Sequence, residues 1–158
     1  MNDSLKDPPL SSASHRSVNY RLATARDIEE IISFWHALEG GIFLSAVDSI
    51  ASLTRFFERN PELSYLATAI NGKIIGTILC GHDGLSAHIY HMAVDKSFRR
   101  QGIGSELVRQ CLDSLLAIDI RICHLGFTDK NIIGREFWTS LGWQERSGFK
   151  LLHRSLIS

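Results

Sequence analysis

The stretch Ser97-Phe98-Arg99-Arg100-Gln101-Gly102-Ile103-Gly104-Ser105-Glu106-Leu107 joins an apolar run, residues 89–94, to an amphipathic segment that begins at Ile103. The apolar run predicts a strand, and the segment after it predicts a helix because its apolar residues recur at helical spacing. A helix N-terminus has backbone N–H groups without partners and a partial positive charge. Two arginines and two glycines at such a turn therefore predict an anion site.

The rest of the hydrophobic pattern predicts a protein with both helices and strands. The predicted strands cover residues 18–22, 64–70, 73–80, 87–94 and 121–127, followed by one or two closing strands at 143–145 and 149–155. The predicted helices cover residues 25–38, 47–59, the segment from Ile103, and 132–141. Asn71-Gly72 between two apolar runs is a strong hairpin signal. This order predicts an α/β (α+β) fold, a mixed central sheet of about six to seven strands with helices on both faces.

Length and composition limit the class of protein. The 158 residues suffice for one domain with a substantial core. Residues 1–16 are rich in Ser, Asp and Pro and predict a flexible tail, so residues 17–158 are expected to form a single domain. The 17 basic residues balance the 17 acidic ones, which argues against a nucleic-acid partner. Because no apolar run is long enough to span a membrane and the N-terminus has no apolar leader, we expect a cytoplasmic protein without a membrane partner.

The three cysteines, Cys80, Cys111 and Cys123, have neither the even number nor the short paired spacings of a disulfide framework or a zinc site. We therefore expect free, buried thiols. We expect no metal.

Two common phosphate-binding motifs do not fit the stretch. A P-loop needs a lysine after its last glycine, and Gly104 is followed by Ser105. A dinucleotide fingerprint needs a third glycine where Leu107 stands. The anion is therefore neither a nucleoside triphosphate in a P-loop nor a dinucleotide in the usual turn.

A third pattern matches. Arg99-x-x-Gly102-x-Gly104, after a strand that ends Met92-Ala93-Val94, resembles the coenzyme A pyrophosphate loop of the GNAT family of N-acetyltransferases. The resemblance continues at Asn131 and in Phe137-Trp138-Thr139-Ser140-Leu141-Gly142-Trp143, which is similar to the closing helix of that family and the turn after it. It implies an acyl-CoA N-acyltransferase-like fold that binds acetyl-CoA as co-substrate.

The resemblance also implies which residues hold coenzyme A. Backbone groups of Met92, Ala93 and Val94 would bind the pantetheine arm as if it were an added strand. Main-chain N–H groups across Arg100, Gln101, Gly102, Ile103, Gly104 and Ser105 would hold the pyrophosphate. The guanidinium groups of Arg99 and Arg100 suit further phosphate contacts. Asn131 would reach the cofactor from the opposite side.

The implied reaction is direct attack of an amine, on a small molecule or a peptide, on the acetyl-CoA thioester. Many family members protonate the leaving thiolate with a tyrosine at the position of Trp138, and an indole N–H cannot act as an acid at neutral pH. This departure leaves an alternative, a non-catalytic acyl-CoA-binding sensor or interaction domain. The acceptor-side segment, residues 38–48, has few charges and favours a small or partly apolar amine. A homodimer is compatible with the resemblance.

The general base is not fixed by the resemblance. The first candidates are Tyr90, Glu39 and Asp83, and His82, His88 and His91 also lie near the expected acceptor entrance. His88 and His91 are an odd number of residues apart on a predicted strand, so they are expected on opposite faces. Tyr90 is expected on the same face as His88. The expected split of the two histidines also argues against a metal site.

Overall fold

The computed structural model describes residues 17–38, 42, 44–45, 48–148 and 150–156. Within those residues the strands are β1 (Asn19–Leu22), β2 (Tyr65–Thr68), β3 (Ile74–His82), β4 (Ala87–Val94) and β5 (Cys123–Leu125). The α-helices are α1 (Ile28–Ala37), α2 (Ile50–Arg59), α3 (Ile103–Ala117) and α4 (Ile132–Ser140). Short 3-10 turns precede α1, at Ala25–Asp27, and follow β4, at Lys96–Phe98.

The chain forms two compact units that divide after His124. The strands form one sheet in the order β1-β2-β3-β4-β5. Strands β1 to β4 pair antiparallel in chain order. The predicted Asn71-Gly72 turn lies within residues 69–73, which join β2 to β3, and Gly72 adopts a left-handed φ of 82°. The single-domain boundary at residue 17 stays a prediction, and residues 1–16 lie outside the described residues.

Helices cover both faces of the sheet in the first unit. On one face, α1 buries Trp35, whose indole N–H donates to Thr77 Oγ1 at 3.0 Å. On the other face, α3 packs so closely that a Cβ at Gly76 would lie 3.1 Å from Leu107 Cδ1. Gly76 and Thr77 are neighbours in β3, and adjacent strand residues point to opposite faces. The helices therefore lie on opposite sides of the sheet, as the sequence predicts.

Strand β4 contains a bulge at Tyr90. Ile89 pairs with Cys80 and His91 pairs with Leu79, so Tyr90 is an extra residue with no partner in β3. A bulge interrupts the regular alternation of side chains and leaves backbone groups outside the ladder. It lies in the middle of β4, just before the half of the strand that leads to the predicted anion site.

The predicted sheet is too large. In the described residues it has five strands rather than six to seven, because residues 143–148 and 150–156 form no strand. Leu151, Leu152 and Leu156 are each more than nine-tenths exposed. A strand whose apolar side chains are uncovered gains little from pairing. Phe149, within the second predicted closing strand, lies outside the described residues.

The predicted helix boundaries shift at two N-termini. The helix expected from residue 25 begins as a 3-10 turn and becomes α-helical at Ile28. The helix expected from residue 47 begins at Ile50, because Ser49 caps it and accepts a hydrogen bond from the Ser52 N–H at 3.2 Å. Among the described residues, no helix combines the length and the apolar composition needed to cross a membrane.

The three cysteines are free, as predicted. Cys80 and Cys111 are buried, and Cys123 is half-buried. Hydrogen bonding with Cys111 and burial raise the pKa of the Cys80 thiol. The Cys80 thiol therefore stays protonated and packs as a small apolar group.

Candidate functional site

The turn after β4 is fixed by main-chain and side-chain hydrogen bonds. Asp95 donates its N–H to Ile75 O at 2.8 Å, and its carboxylate accepts from the Ser97 N–H at 2.8 Å. The Nε–H of Arg99 donates to Val94 O at 3.1 Å. The chain therefore leaves the sheet in a defined direction and delivers residues 100–105 to the start of α3.

Residues 100–105 form a curved segment, called the cradle below. Arg100 and Gly102 both have left-handed backbone conformations, with φ of 62° and 79°. The first helical hydrogen bond of α3 runs from Glu106 N–H to Gly102 O at 3.0 Å, and no side chain caps the helix. Within the described parts of the chain, nothing accepts from the six N–H groups of residues 100–105. Curved runs of free N–H groups at a helix N-terminus bind anions.

The cradle is open at Gly102. A Cβ at Gly102 would meet no protein atom within 4 Å, so packing inside the protein does not require glycine there. The left-handed φ favours it, and the missing side chain leaves the N–H groups open to a ligand. Arg99 and Arg100 are exposed beside them. Gln101, Gly104 and Ser105 are at least partly exposed, and Ile103 is buried and anchors α3.

The three residues expected to bind the pantetheine arm lie at the end of β4. Met92, Ala93 and Val94 pair with β3 along one strand edge and are half-buried. Toward β5, β4 is held at its start, where the Ala87 N–H donates to Ile122 O at 2.8 Å. Along β4, Ala87 and Ile89 are buried, Tyr90 is exposed, and residues 91–94 are half-buried. The part of β4 next to the cradle is therefore the more accessible part.

Tyr90 lies at the bulge with 57% of its surface exposed. Its ring meets the Phe56 ring edge-on, with centroids 5.4 Å apart, and the His88 ring at 4.8 Å. The contact with His88 agrees with the predicted shared face. These three rings form an aromatic surface between α2 and β4.

Asp83, another of the first candidates for the base, lies in the loop between β3 and β4. The Asp83 carboxylate accepts from the Ser86 and Leu85 N–H groups at 2.9 and 2.8 Å, and these bonds hold the pKa of this exposed residue below its usual value. A carboxylate with a lowered pKa is a weaker base. His82 Nδ1 accepts from the Gly84 N–H at 3.1 Å in the same loop. Glu39 lies outside the described residues.

The structure pairs His91 with Asp48, a partner outside the candidates that the sequence indicates. His91 Nε2 lies 2.7 Å from Asp48 Oδ1, and the side chains are 17% and 10% exposed. Asp48 also accepts from the Ser45 N–H at 2.8 Å. Burial alone would raise the pKa of Asp48, but the bonds from Ser45 and His91 outweigh it and hold the pKa below its usual value. Asp48 is the sole charged residue between Glu39 and Arg55, which is the one sequence signal that could have found it.

The bulge changes which histidines share a face. His88 pairs with Gly81 and His91 pairs with Leu79, and these two β3 residues are two apart. Paired residues lie on one face, so His88 and His91 share the face that carries Trp35. The prediction that they lie on opposite faces is wrong, because it assumed an uninterrupted alternation. Burial, with a smaller effect of His124, lowers the pKa of His88.

The shared face of His88 and His91 bears on the predicted absence of a metal. Within the part of the chain that the structure describes, no group of three or more His, Cys, Asp or Glu side chains is arranged to hold a metal ion.

In the second unit, Asn131 caps α4. Its Oδ1 accepts from the Gly134 N–H at 2.9 Å, and a Cβ at Gly134 would lie 2.7 Å from Asn131 Cγ. The helix predicted over residues 132–141 therefore begins at a cap formed by Asn131. Asn131 remains exposed, with its amide nitrogen unbonded to any described residue.

Trp138 belongs to an aromatic cluster of the second unit. It is 8% exposed, and its ring lies 5.0 Å from both Phe137 and Trp143. Both contacts are tilted or edge-on, the arrangement that aromatic pairs favour. The indole is thus used for packing within this unit.

Comparison with known proteins gives one family. The model of the acetyltransferase (GNAT) family matches residues 26–143. An acetyltransferase of Photorhabdus laumondii subsp. laumondii is 30% identical over 91 residues, which span 58% of this chain and 62% of that relative. An acetyltransferase of Pectobacterium atrosepticum is 26% identical over 111 residues, which span 70% of this chain and 77% of that relative.

Solved structures share the fold. The aminoglycoside antibiotic 6′-N-acetyltransferase of Acinetobacter baumannii superposes with a TM-score of 0.71 at 14% identity, over 89% of this chain and 99% of that one. A predicted acetyltransferase of Clostridium acetobutylicum, solved with acetyl-CoA, gives 0.67 at 21% identity over 87% and 96%. The family match covers all four α-helices, β4 and the cradle. On this evidence the chain belongs to the acetyltransferase (GNAT) family.

Proposed function

We propose that this chain is an N-acetyltransferase that moves an acetyl group from acetyl-CoA to an amine. The observation that carries the proposal is the cradle, whose six N–H groups have no acceptor among the described residues. Each is available to a phosphate oxygen, and the exposed guanidinium groups of Arg99 and Arg100 add charge. The Clostridium neighbour was solved with acetyl-CoA, which supports the choice of this donor.

The proposed reaction forms one bond and breaks another. The amine nitrogen attacks the thioester carbonyl carbon, an N–C bond forms, the C–S bond breaks, and the amine nitrogen loses a proton. An amine like that of lysine has a pKa near 10.4, so only about one molecule in 10³ is neutral at pH 7. A residue or water that removes the proton therefore matters for the rate.

Departure of coenzyme A does not require an acid from the protein. A thiol has a pKa of about 8.5, so coenzyme A can depart as a solvated thiolate at neutral pH. The packed indole of Trp138 is compatible with this route, because no acid is then needed at that position. The same indole supports the second candidate, an acyl-CoA sensor without turnover.

The aromatic surface of Phe56, His88 and Tyr90 is the proposed acceptor side. It lies on the face of β4 that carries α1 and α2, next to the bulge. Its rings offer apolar contact area, and the low charge of residues 38–48 fits the same preference. We assign the acceptor to small or partly apolar amines, including peptide N-termini of that kind.

The test measures thiol release from acetyl-CoA with polyamines, amino acids, aminoglycosides and peptide N-termini, together with the melting temperature. The transferase predicts amine-dependent release and a higher melting temperature with acetyl-CoA. The higher melting temperature with no release for any amine would favour the sensor. No effect of acetyl-CoA in either measurement would refute both.

A further inference from the structure

We propose that His91, held by Asp48, takes the proton from the acceptor amine. The inference rests on the proposed function and assigns a catalytic role to a pair outside the first candidates. It follows from where the pair lies, what each atom is bonded to, and which face of β4 it occupies.

The pair lies beside the bulge. His91 follows Tyr90 directly, and the backbone at Tyr90 has left the β3–β4 ladder. Trp35 packs against the imidazole with ring centroids 4.7 Å apart. Trp35 is itself fixed by its hydrogen bond to Thr77, so the imidazole has a rigid neighbour. A general base needs a defined position of this kind.

The bonding leaves one imidazole nitrogen available. Asp48 is acceptor-only when ionised, so His91 Nε2 carries the hydrogen of their 2.7 Å bond. Nδ1 then holds the lone pair, and none of the described residues hydrogen-bonds to it. A carboxylate that holds one nitrogen sets the tautomer of the ring and stabilises the imidazolium that forms when the other nitrogen takes a proton.

The proton balance is complete without another reactant. An amine that arrives as ammonium first loses one proton to water. The neutral amine then attacks, the N–C bond forms as the C–S bond breaks, the second amine proton moves to His91 Nδ1, and solvent later receives it from the imidazolium. With 17% of its side chain exposed, His91 can exchange the proton with water. Asp48 touches neither amine nor thioester in this scheme and is a positioning residue.

Three variants test the assignment in the full chain with the best amine of the panel. His91→Gln keeps an amide N–H for Asp48 but has no base, and kcat/KM should fall by roughly 10²- to 10⁴-fold. Asp48→Asn should lower kcat by roughly 10- to 150-fold, the factor for one charge-assisted hydrogen bond. The melting-temperature rise with acetyl-CoA should survive in both.

His91→Ala separates catalysis from packing. Added imidazoles should restore its activity in the order of their basicity, whereas filling of a structural gap would follow their size. Asp48→Asn should lower kcat little further in the His91→Ala background, because Asp48 acts through His91. Asp27→Asn breaks another ion pair, with Arg21 at 2.7 Å, and is the control for lost stability alone.

Two results would overturn the inference while the proposed function stands. One is an active wild type with unchanged kcat/KM in His91→Gln. The other is rescue of His91→Ala that ignores basicity. A wild type without thiol release on any amine would instead end the proposed function, and the inference with it.

Discussion

Replacement of Gly102 tests the cradle, because a side chain there would contact no protein atom but would project toward the proposed phosphate site. Its φ of 79° disfavours any side chain, yet a Cβ there would meet no protein atom within 4 Å. Gly72 offers a matched control in the same unit, with φ of 82° and equally open surroundings. Alanine and valine at the two positions therefore carry the same backbone cost, and only at Gly102 do they project toward the proposed phosphate site.

The two expected effects differ in size. A residue with a Cβ in the left-handed region costs about 1–2 kcal/mol, so both alanine variants should lose about that much stability. For a domain of this size, that lowers Tm by a few degrees, roughly 2–8 °C. At Gly102 the side chain should also remove at least two charge-assisted hydrogen bonds to phosphate, about 1.5–3 kcal/mol each. The dissociation constant for coenzyme A should then rise by roughly 10²- to 10⁴-fold.

Calorimetric titration with coenzyme A measures the affinity, and thermal unfolding without ligand measures the stability. We expect both glycine positions to lower Tm alike, and only the Gly102 variants to lose binding, with Gly102→Val losing it entirely. If Gly102→Val bound coenzyme A as tightly as Gly72→Val, the pyrophosphate would lie elsewhere and the cradle assignment would be refuted.

Three further substitutions probe the helices. Trp138→Phe should cost about 1–3 kcal/mol of stability, because it removes part of the aromatic cluster, and should lower turnover only modestly. A loss of turnover by several orders of magnitude would show that the indole has a chemical role. Glu106→Gln should lower the free energy of unfolding by no more than about 1 kcal/mol at pH 7, because Arg109 and Gln110 lower the pKa of Glu106 from 4.5 to about 2. The folded-state pKa lies below the unfolded one, so this contribution is present above pH 4.5 and is lost toward pH 2, and urea unfolding should show the two proteins converging there. Gly134→Ala should not stabilise the wild type, because its Cβ would clash with the Asn131 side chain. In the Asn131→Ala variant, where that side chain is absent, Gly134→Ala should raise the free energy of unfolding by about 1 kcal/mol. Equal stabilisation of both proteins would exclude the clash.

Local signals in the sequence predict much of the first unit. The Asn71-Gly72 turn, the bounds of β4 and the start of α3 at Ile103 match the structure. Each depends on residues close together in the chain, such as a turn dipeptide or a run of one periodicity. The left-handed glycine at residue 102 belongs to the same kind of signal, because two glycines beside a helix start already suggest an unusual backbone.

Features that arise from contacts between distant segments of the chain are not indicated by local sequence patterns. Asp48 and His91 are 43 residues apart, and nothing local in either segment indicates the partner. The bulge at Tyr90 has no glycine or proline to mark it, since it arises from the register against β3. The prediction of closing strands is wrong for a related reason. An alternating pattern forms a strand only when another surface covers its apolar side chains.

Strand β4 explains why the proposed donor and acceptor functions depend on one element. Its pairing with β3 holds His91 through Val94 in fixed register, and the next residues lead through the Asp95 turn into the cradle. A regular strand advances about 3.3 Å per residue, so the imidazole and the end of the strand are separated by about 10 Å of rigid backbone. A strand that alternated without interruption would turn either His88 or His91 toward α3. The extra residue at Tyr90 turns both toward α1 and α2, where Asp48 and the aromatic surface lie, while the strand end still delivers the cradle to the N-terminus of α3.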